Sequence, residues 1–144
     1  MRLLFAMLVV LVFTAQSQAQ VPEIANPNLP DIAMVQPHPQ YGAVIIYNPV
    51  ICQQIGYACG FFRAHEYGHV ALNHQFMHPA SYPAQREAQA DRWAAFNATP
   101  QEILSAYQLF MSGGSSSNWQ IYGSPVYRAN RLKQFAMQAG RWIG

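Results

Sequence analysis

The chain reads as a small α+β domain with a short β-sheet and about four helices. Residues 41–47 (YGAVIIY) are rich in β-branched and aromatic side chains and are stopped by Asn48-Pro49, which makes them the best strand. From Phe61 onward the apolar spacing becomes helical, and three helix starts carry recognisable caps. One strand region followed by helices predicts segregated elements rather than alternating βαβ units.

The elements follow in order. Residues 1–19 read as an export signal, with Arg2 at the positive end, an apolar run over residues 3–13, and small residues at Ala15, Ser17 and Ala19. That run is too short for a membrane-spanning helix, which needs about 20 apolar residues. Cleavage after Ala19 leaves residues 20–144 with no stable membrane insertion, in the periplasm or outside the cell. Half of the ten prolines fall in residues 20–40, which predicts an extended N-terminal arm that wraps the domain or moves freely. Within it, residues 31–36 are a shorter strand partner for residues 41–47. The domain proper is expected over residues 41–144.

Thr99-Pro100-Gln101-Glu102 supplies an N-cap, a proline at the first helical position and a capping-box glutamate. Ser124-Pro125 repeats the pattern before a helix over residues 126–142, and Ser81 with Pro83 does so before residues 84–97. Residues 112–117 (SGGSSS) read as a flexible connector, with a lid over a site as the alternative. Residues 118–122 are expected as a third short strand.

Composition excludes several classes. With 51% hydrophobic and 13% aromatic residues the chain can bury enough apolar surface to be globular. Only 10% of residues are charged, and a net charge of +2 gives no surface for nucleic acid or an anionic membrane. Two cysteines, Cys52 and Cys59, cannot build a four-thiolate metal site. In an exported chain they predict a structural disulfide.

Half of the six acids fall within residues 65–91, and there the chemistry concentrates. His65-Glu66-Tyr67-Gly68-His69 fits H-E-x-x-H. Helical residues four apart differ by about 40° around the axis, so His65 and His69 can grip one metal ion, with Glu66 beside them. A catalytic zinc site needs a third protein ligand and an open position. The metzincin pattern is excluded, because Leu72 and Gln75 stand where its Gly and third His belong. On a continuing helix His74 lies about 140° from His69 and points elsewhere, and His78 sits in the following loop. Glu87 and Asp91, four apart on the next predicted helix, are the better source of the third ligand. Alternatively they pair with Arg86 and Arg92 as a solvated face.

HEYGH followed by E-x-x-A-D (residues 87–91, then RWAA) resembles the gluzincin core of the HtpX-type peptidases and of their soluble miniature relatives, the minigluzincins. The strand ending Ile46-Tyr47-Asn48-Pro49 is similar to the edge strand that precedes the active-site helix there. Tyr122-Gly123-Ser124-Pro125 with Arg128 or Arg131 is a fainter echo of their C-terminal S-H-P…R segment, without its His. ImmA/IrrE-type peptidases carry a related pattern, E-x-E-A-N, whose middle acid is Gln89 here. The resemblance implies a zincin-like domain in which Glu87 is the third ligand to one Zn²⁺ and Asp91 orients His65.

The expected activity is therefore that of an exported zinc metallopeptidase acting on a peptide or protein. Glu66 would be the general base, and Arg128, Tyr127 or Tyr122 would stabilise the oxyanion. Strand residues 43–47 would offer an exposed edge to an extended substrate. The rival is a non-catalytic zinc-binding or regulatory module of the cell envelope, which would have no use for Glu66. An N-terminal arm covering the cleft would make the enzyme latent.

Overall fold

The computed structural model describes residues 20–115 and 118–144. The expected export signal and residues 116–117 of the connector lie outside them. Three strands come first: β1 (Glu23–Ala25), β2 (Ala33–His38) and β3 (Gly42–Tyr47). The helices follow as α1 (Pro49–Ile55), α2 (Ala58–Ala71), α3 (Pro83–Asn97), α4 (Pro100–Met111), the one-turn α5 (Trp119–Tyr122) and α6 (Pro125–Gln138). A 3-10 turn, His74–Phe76, joins α2 to α3. Among the described residues this is an α+β domain, with five helices of seven residues or more beside one three-stranded sheet.

The sheet order is β1-β3-β2, with β1 parallel and β2 antiparallel to β3. The strand expected as the exposed edge is thus the central one. Ala43, Val44 and Ile45 are buried between two neighbours, and β1 and β2 are the two outer strands. The proline-rich segment is extended, as its composition predicts, and it supplies two of the three strands. Pro37 is tolerated because β2 is an edge, where a missing N–H breaks no ladder.

Asn48-Pro49 stops β3 by starting a helix. The Asn48 side chain accepts from the backbone N–H groups of Val50 and Ile51, and Pro49 opens α1. The same device overturns the strand expected at residues 118–122, where Asn118 caps the N–H groups of Gln120 and Ile121 and starts α5. Thr99 and Glu102 form the expected capping box, and Ser124 caps α6. Ser81 does not cap α3, which begins at Pro83 behind Tyr82 in the left-handed region (φ 47°). The helix over residues 126–142 stops earlier, at Gln138, where Gly140 takes φ 66°.

Cys52 and Cys59 form a disulfide between α1 and α2, with Cα atoms 5.0 Å apart. Closing so short a loop stabilises the fold by about 2–3 kcal/mol on the chain-entropy account, and the bond points to a setting outside the reducing cytoplasm. No helix of the described residues is long and apolar enough to cross a membrane.

The core lies where α2, α4 and α6 meet. Phe61, Phe62 and Phe110 pack edge to face at centroid distances of 5.4–6.1 Å, surrounded by Ile103, Leu132 and small alanines. Small residues also set the spacing of α2 and α3. A Cβ on Gly68 would stand 3.0 Å from Trp93 Cβ and 3.1 Å from Ala90 Cα. The glycine before the second histidine is therefore the contact that lets the two site-bearing helices approach. Gly68→Ala should force them apart and cost about 1–3 kcal/mol, read as a lower urea midpoint. Unchanged stability would show that α3 can yield at no cost.

Candidate metal centre

Helix α2 places His65, Glu66 and His69 at one mouth of the core, and together they could hold a metal ion. Both imidazoles are buried. Their Nε2 atoms lie 3.0 Å apart. From α3, Glu87 Oε2 stands 2.9 Å from His65 Nε2 and 3.4 Å from His69 Nε2. Tetrahedral ligands at zinc-type bond lengths stand about 3.3 Å from one another. The triangle therefore fits a small divalent cation with shifts of a few tenths of an ångström, and its donors are those that zinc takes.

Glu66 is held differently. Its Oε2 accepts the Val35 N–H of β2 at 2.9 Å, so this carboxylate bridges the helix to the free sheet edge. Burial pushes its carboxyl above the ordinary range, against the pull of His65 and His69.

Behind the triangle lies Asp91, which is fully buried. Its Oδ1 lies 2.8 Å from His65 Nδ1 and accepts from Arg128 Nη2 at 2.7 Å. Its Oδ2 accepts from Arg128 Nε at 2.9 Å and from Arg131 Nη2 at 2.8 Å. Burial alone would raise the Asp91 carboxyl, but Arg128, and after it His65, hold it far below the usual range. Burial likewise opposes ionisation of Glu87, and the hydrogen bonds of His65 and His69 overcome it. For His65, burial pulls the imidazole down, yet Asp91 and Glu87 push it up to about 9. The metal-free centre thus carries a proton where a cation would sit.

The three expected oxyanion stabilisers separate. Tyr122 lines both cavities that open on the site, of about 430 Å³ and 230 Å³. Burial and the nearby Glu87 raise its hydroxyl, so it remains a proton donor at neutral pH. Arg128 lines the larger cavity but is committed, with Nε and Nη2 on Asp91 and Nη1 on the Ser115 carbonyl at 3.0 Å. Tyr127 is exposed, its ring lies 5.6 Å from the Arg131 guanidinium, and it lines neither cavity. The larger cavity runs from His65 and Glu66 over an apolar floor of Ile32, Ile51 and Phe62 to Gly113 and Ser115 of the connector.

His74 does not point away. Helix α2 ends at Ala71, and Asn73 takes the left-handed conformation (φ 56°) that asparagine tolerates after a helix end. That reversal swings His74 back, so its Nδ1 lies 2.9 Å from His69 Nδ1 and its Nε2 3.1 Å from Gln89 Oε1. The sequence signal for this reversal is Asn73, a residue that tolerates the left-handed conformation at a helix end. His78, by contrast, is exposed and bonds the local Ala80 N–H.

Neither a family model, nor a curated protein, nor a solved structure matches the chain.

Two outcomes follow from this geometry. Asp91→Ala strands Arg128 and Arg131 and should cost about 3–5 kcal/mol, visible in chemical unfolding of the metal-free protein. A loss below about 1 kcal/mol would mean that the arginines find other partners. Because His65 is protonated until about pH 9, a cation bound at neutral pH must displace that proton. Divalent-cation affinity should therefore rise by up to about tenfold per pH unit toward pH 9 and then level off. A calorimetric affinity that is flat across this window would refute the proton competition.

Proposed function

We propose that this chain is an exported zinc-dependent metallopeptidase of the gluzincin type. The observation that carries the reading is the convergence of His65 Nε2, His69 Nε2 and Glu87 Oε2 on one triangle, with the Glu66 carboxylate and the outer edge of β2 beside it. His65, His69 and Glu87 would hold one Zn²⁺, which when bound lowers the pKa of a water to about 7 and polarises a carbonyl.

The remaining work falls to the chain's own groups. Glu66 takes the proton of the attacking water on Oε1, the oxygen that Val35 leaves free, and returns it to the departing amine nitrogen. Asp91 accepts the Nδ1–H of His65 and so leaves Nε2 as the nitrogen that gives up its proton when an ion binds. Tyr122, which lines both cavities, would donate its hydroxyl hydrogen to the developing oxyanion. An extended peptide can align along β2, where Ala33 and Val35 turn their backbone groups away from β3. The apolar floor of the larger cavity then receives a side chain next to the cleaved bond. The disulfide supports residence in the periplasm or outside the cell after signal cleavage.

Glu66→Gln should leave one zinc per chain and reduce peptide cleavage by about 10²–10⁴-fold. Metal analysis with a peptide-library digest checks both halves. Cleavage at the original rate by the Gln variant would remove Glu66 from the mechanism, and an unaltered, zinc-loaded protein that cuts no peptide in the library would favour the non-catalytic module.

A further inference from the structure

We infer that His74 and Gln89 form a neutral hydrogen-bond relay that fixes the tautomer of His69, which makes His74 a positioning residue of the proposed metal site. The inference rests on the metal reading above and adds to it His74, outside both motifs, and Gln89, a variable position within E-x-x-A-D.

The argument is one of proton counting. His69 Nδ1 and His74 Nδ1 stand 2.9 Å apart, a distance at which one of the two must carry the hydrogen and the other must be bare. His74 Nε2 lies 3.1 Å from the Gln89 side-chain oxygen, which can only accept. His74 Nε2 therefore donates, its Nδ1 is bare in the neutral ring, and His69 Nδ1 must donate to it. That leaves a lone pair on His69 Nε2, the atom facing His65 Nε2 and Glu87 Oε2.

Turning the Gln89 amide over reverses every step. The amide then donates to His74 Nε2, His74 Nδ1 donates to His69 Nδ1, and a hydrogen is placed on His69 Nε2 inside the ligand triangle. A cation is compatible with the first direction only.

The two ligand histidines are thus backed by different chemistry. His65 rests on Asp91, a buried carboxylate clamped by two arginines. His69 rests on a second imidazole that brings no charge. The backbone supports the arrangement, because the left-handed Asn73 is what returns His74 to His69. His74 is itself buried, whereas Gln89 lies on the exposed side of α3.

The test uses the mature chain and zinc alone. In competition titrations His74→Leu should weaken zinc binding by about 10–100-fold. His74→Asn, whose amide oxygen stands where the bare Nδ1 was, should recover most of that loss. The visible spectrum of the cobalt-loaded protein should change in the Leu variant and return in the Asn variant. Nitrogen NMR of the unaltered, zinc-loaded protein should show hydrogens on His69 Nδ1 and His74 Nε2, and this decides the matter even if the Leu variant does not fold. A hydrogen on His74 Nδ1, or equal zinc affinity in the unaltered and Leu proteins, overturns the relay alone. An unaltered protein that binds no zinc overturns the metal reading, and the relay with it.

Discussion

Asp91, on α3, sits fully buried, and its ionised form survives there because two neighbouring helices bring donors to its two oxygens. The imidazole of His65 arrives from α2, and the guanidinium groups of Arg128 and Arg131 arrive from α6. A carboxylate stripped of hydration is costly unless it is surrounded in this way. The ion cluster therefore adds directional contacts that fix the relative placement of α2, α3 and α6 to the close packing of the core around Phe61, Phe62 and Phe110. Arg128 adds packing to charge, its guanidinium lying 4.6 Å from the Phe110 ring centroid and 4.8 Å from that of Tyr122. In this way the wall of the cleft is tied to the group that aims His65.

The charge balance of the region explains why a proton collects on His65. Glu66, Glu87 and Asp91 bring three carboxylates, and Arg128 and Arg131 return two positive charges. One negative charge is left among groups that are largely shielded from solvent. A divalent cation at the His65–His69–Glu87 triangle turns that excess of one negative charge into an excess of one positive charge, an imbalance of the same size. Committing both arginines to Asp91, rather than to Glu87, leaves Glu87 turned toward the imidazoles.

What could be read from the chain divides by how local its cause is. HExxH was legible because a four-residue spacing on one helix decides which face each side chain takes, and Glu87 and Asp91 obeyed the same rule. The capping box at Thr99 is equally local. Asn48 ends β3 as expected and also starts a helix, whereas Asn118 starts a helix where a strand is expected, because a short polar residue serves at either end and only the following backbone shows which occurs. The position of β3 in the middle of the sheet was out of reach for another reason. Which strand lies at an edge depends on where β1 and β2 dock, a matter of distant contacts. The pairing of Arg128 with Asp91, 37 positions apart, belongs to the same class, as does the contact of Val35 with Glu66.

Pro37 gives the free edge of β2 a second significance. Alternate residues of this strand direct their backbone groups away from β3, which makes Ala33, Val35 and Pro37 the outward set. The proline has no hydrogen to give, and the Val35 N–H is occupied by Glu66. Another copy of the sheet arriving at this edge would find too few donors to build a continuous ladder. The outer edge of β2 is in this way protected against zipping onto its own kind.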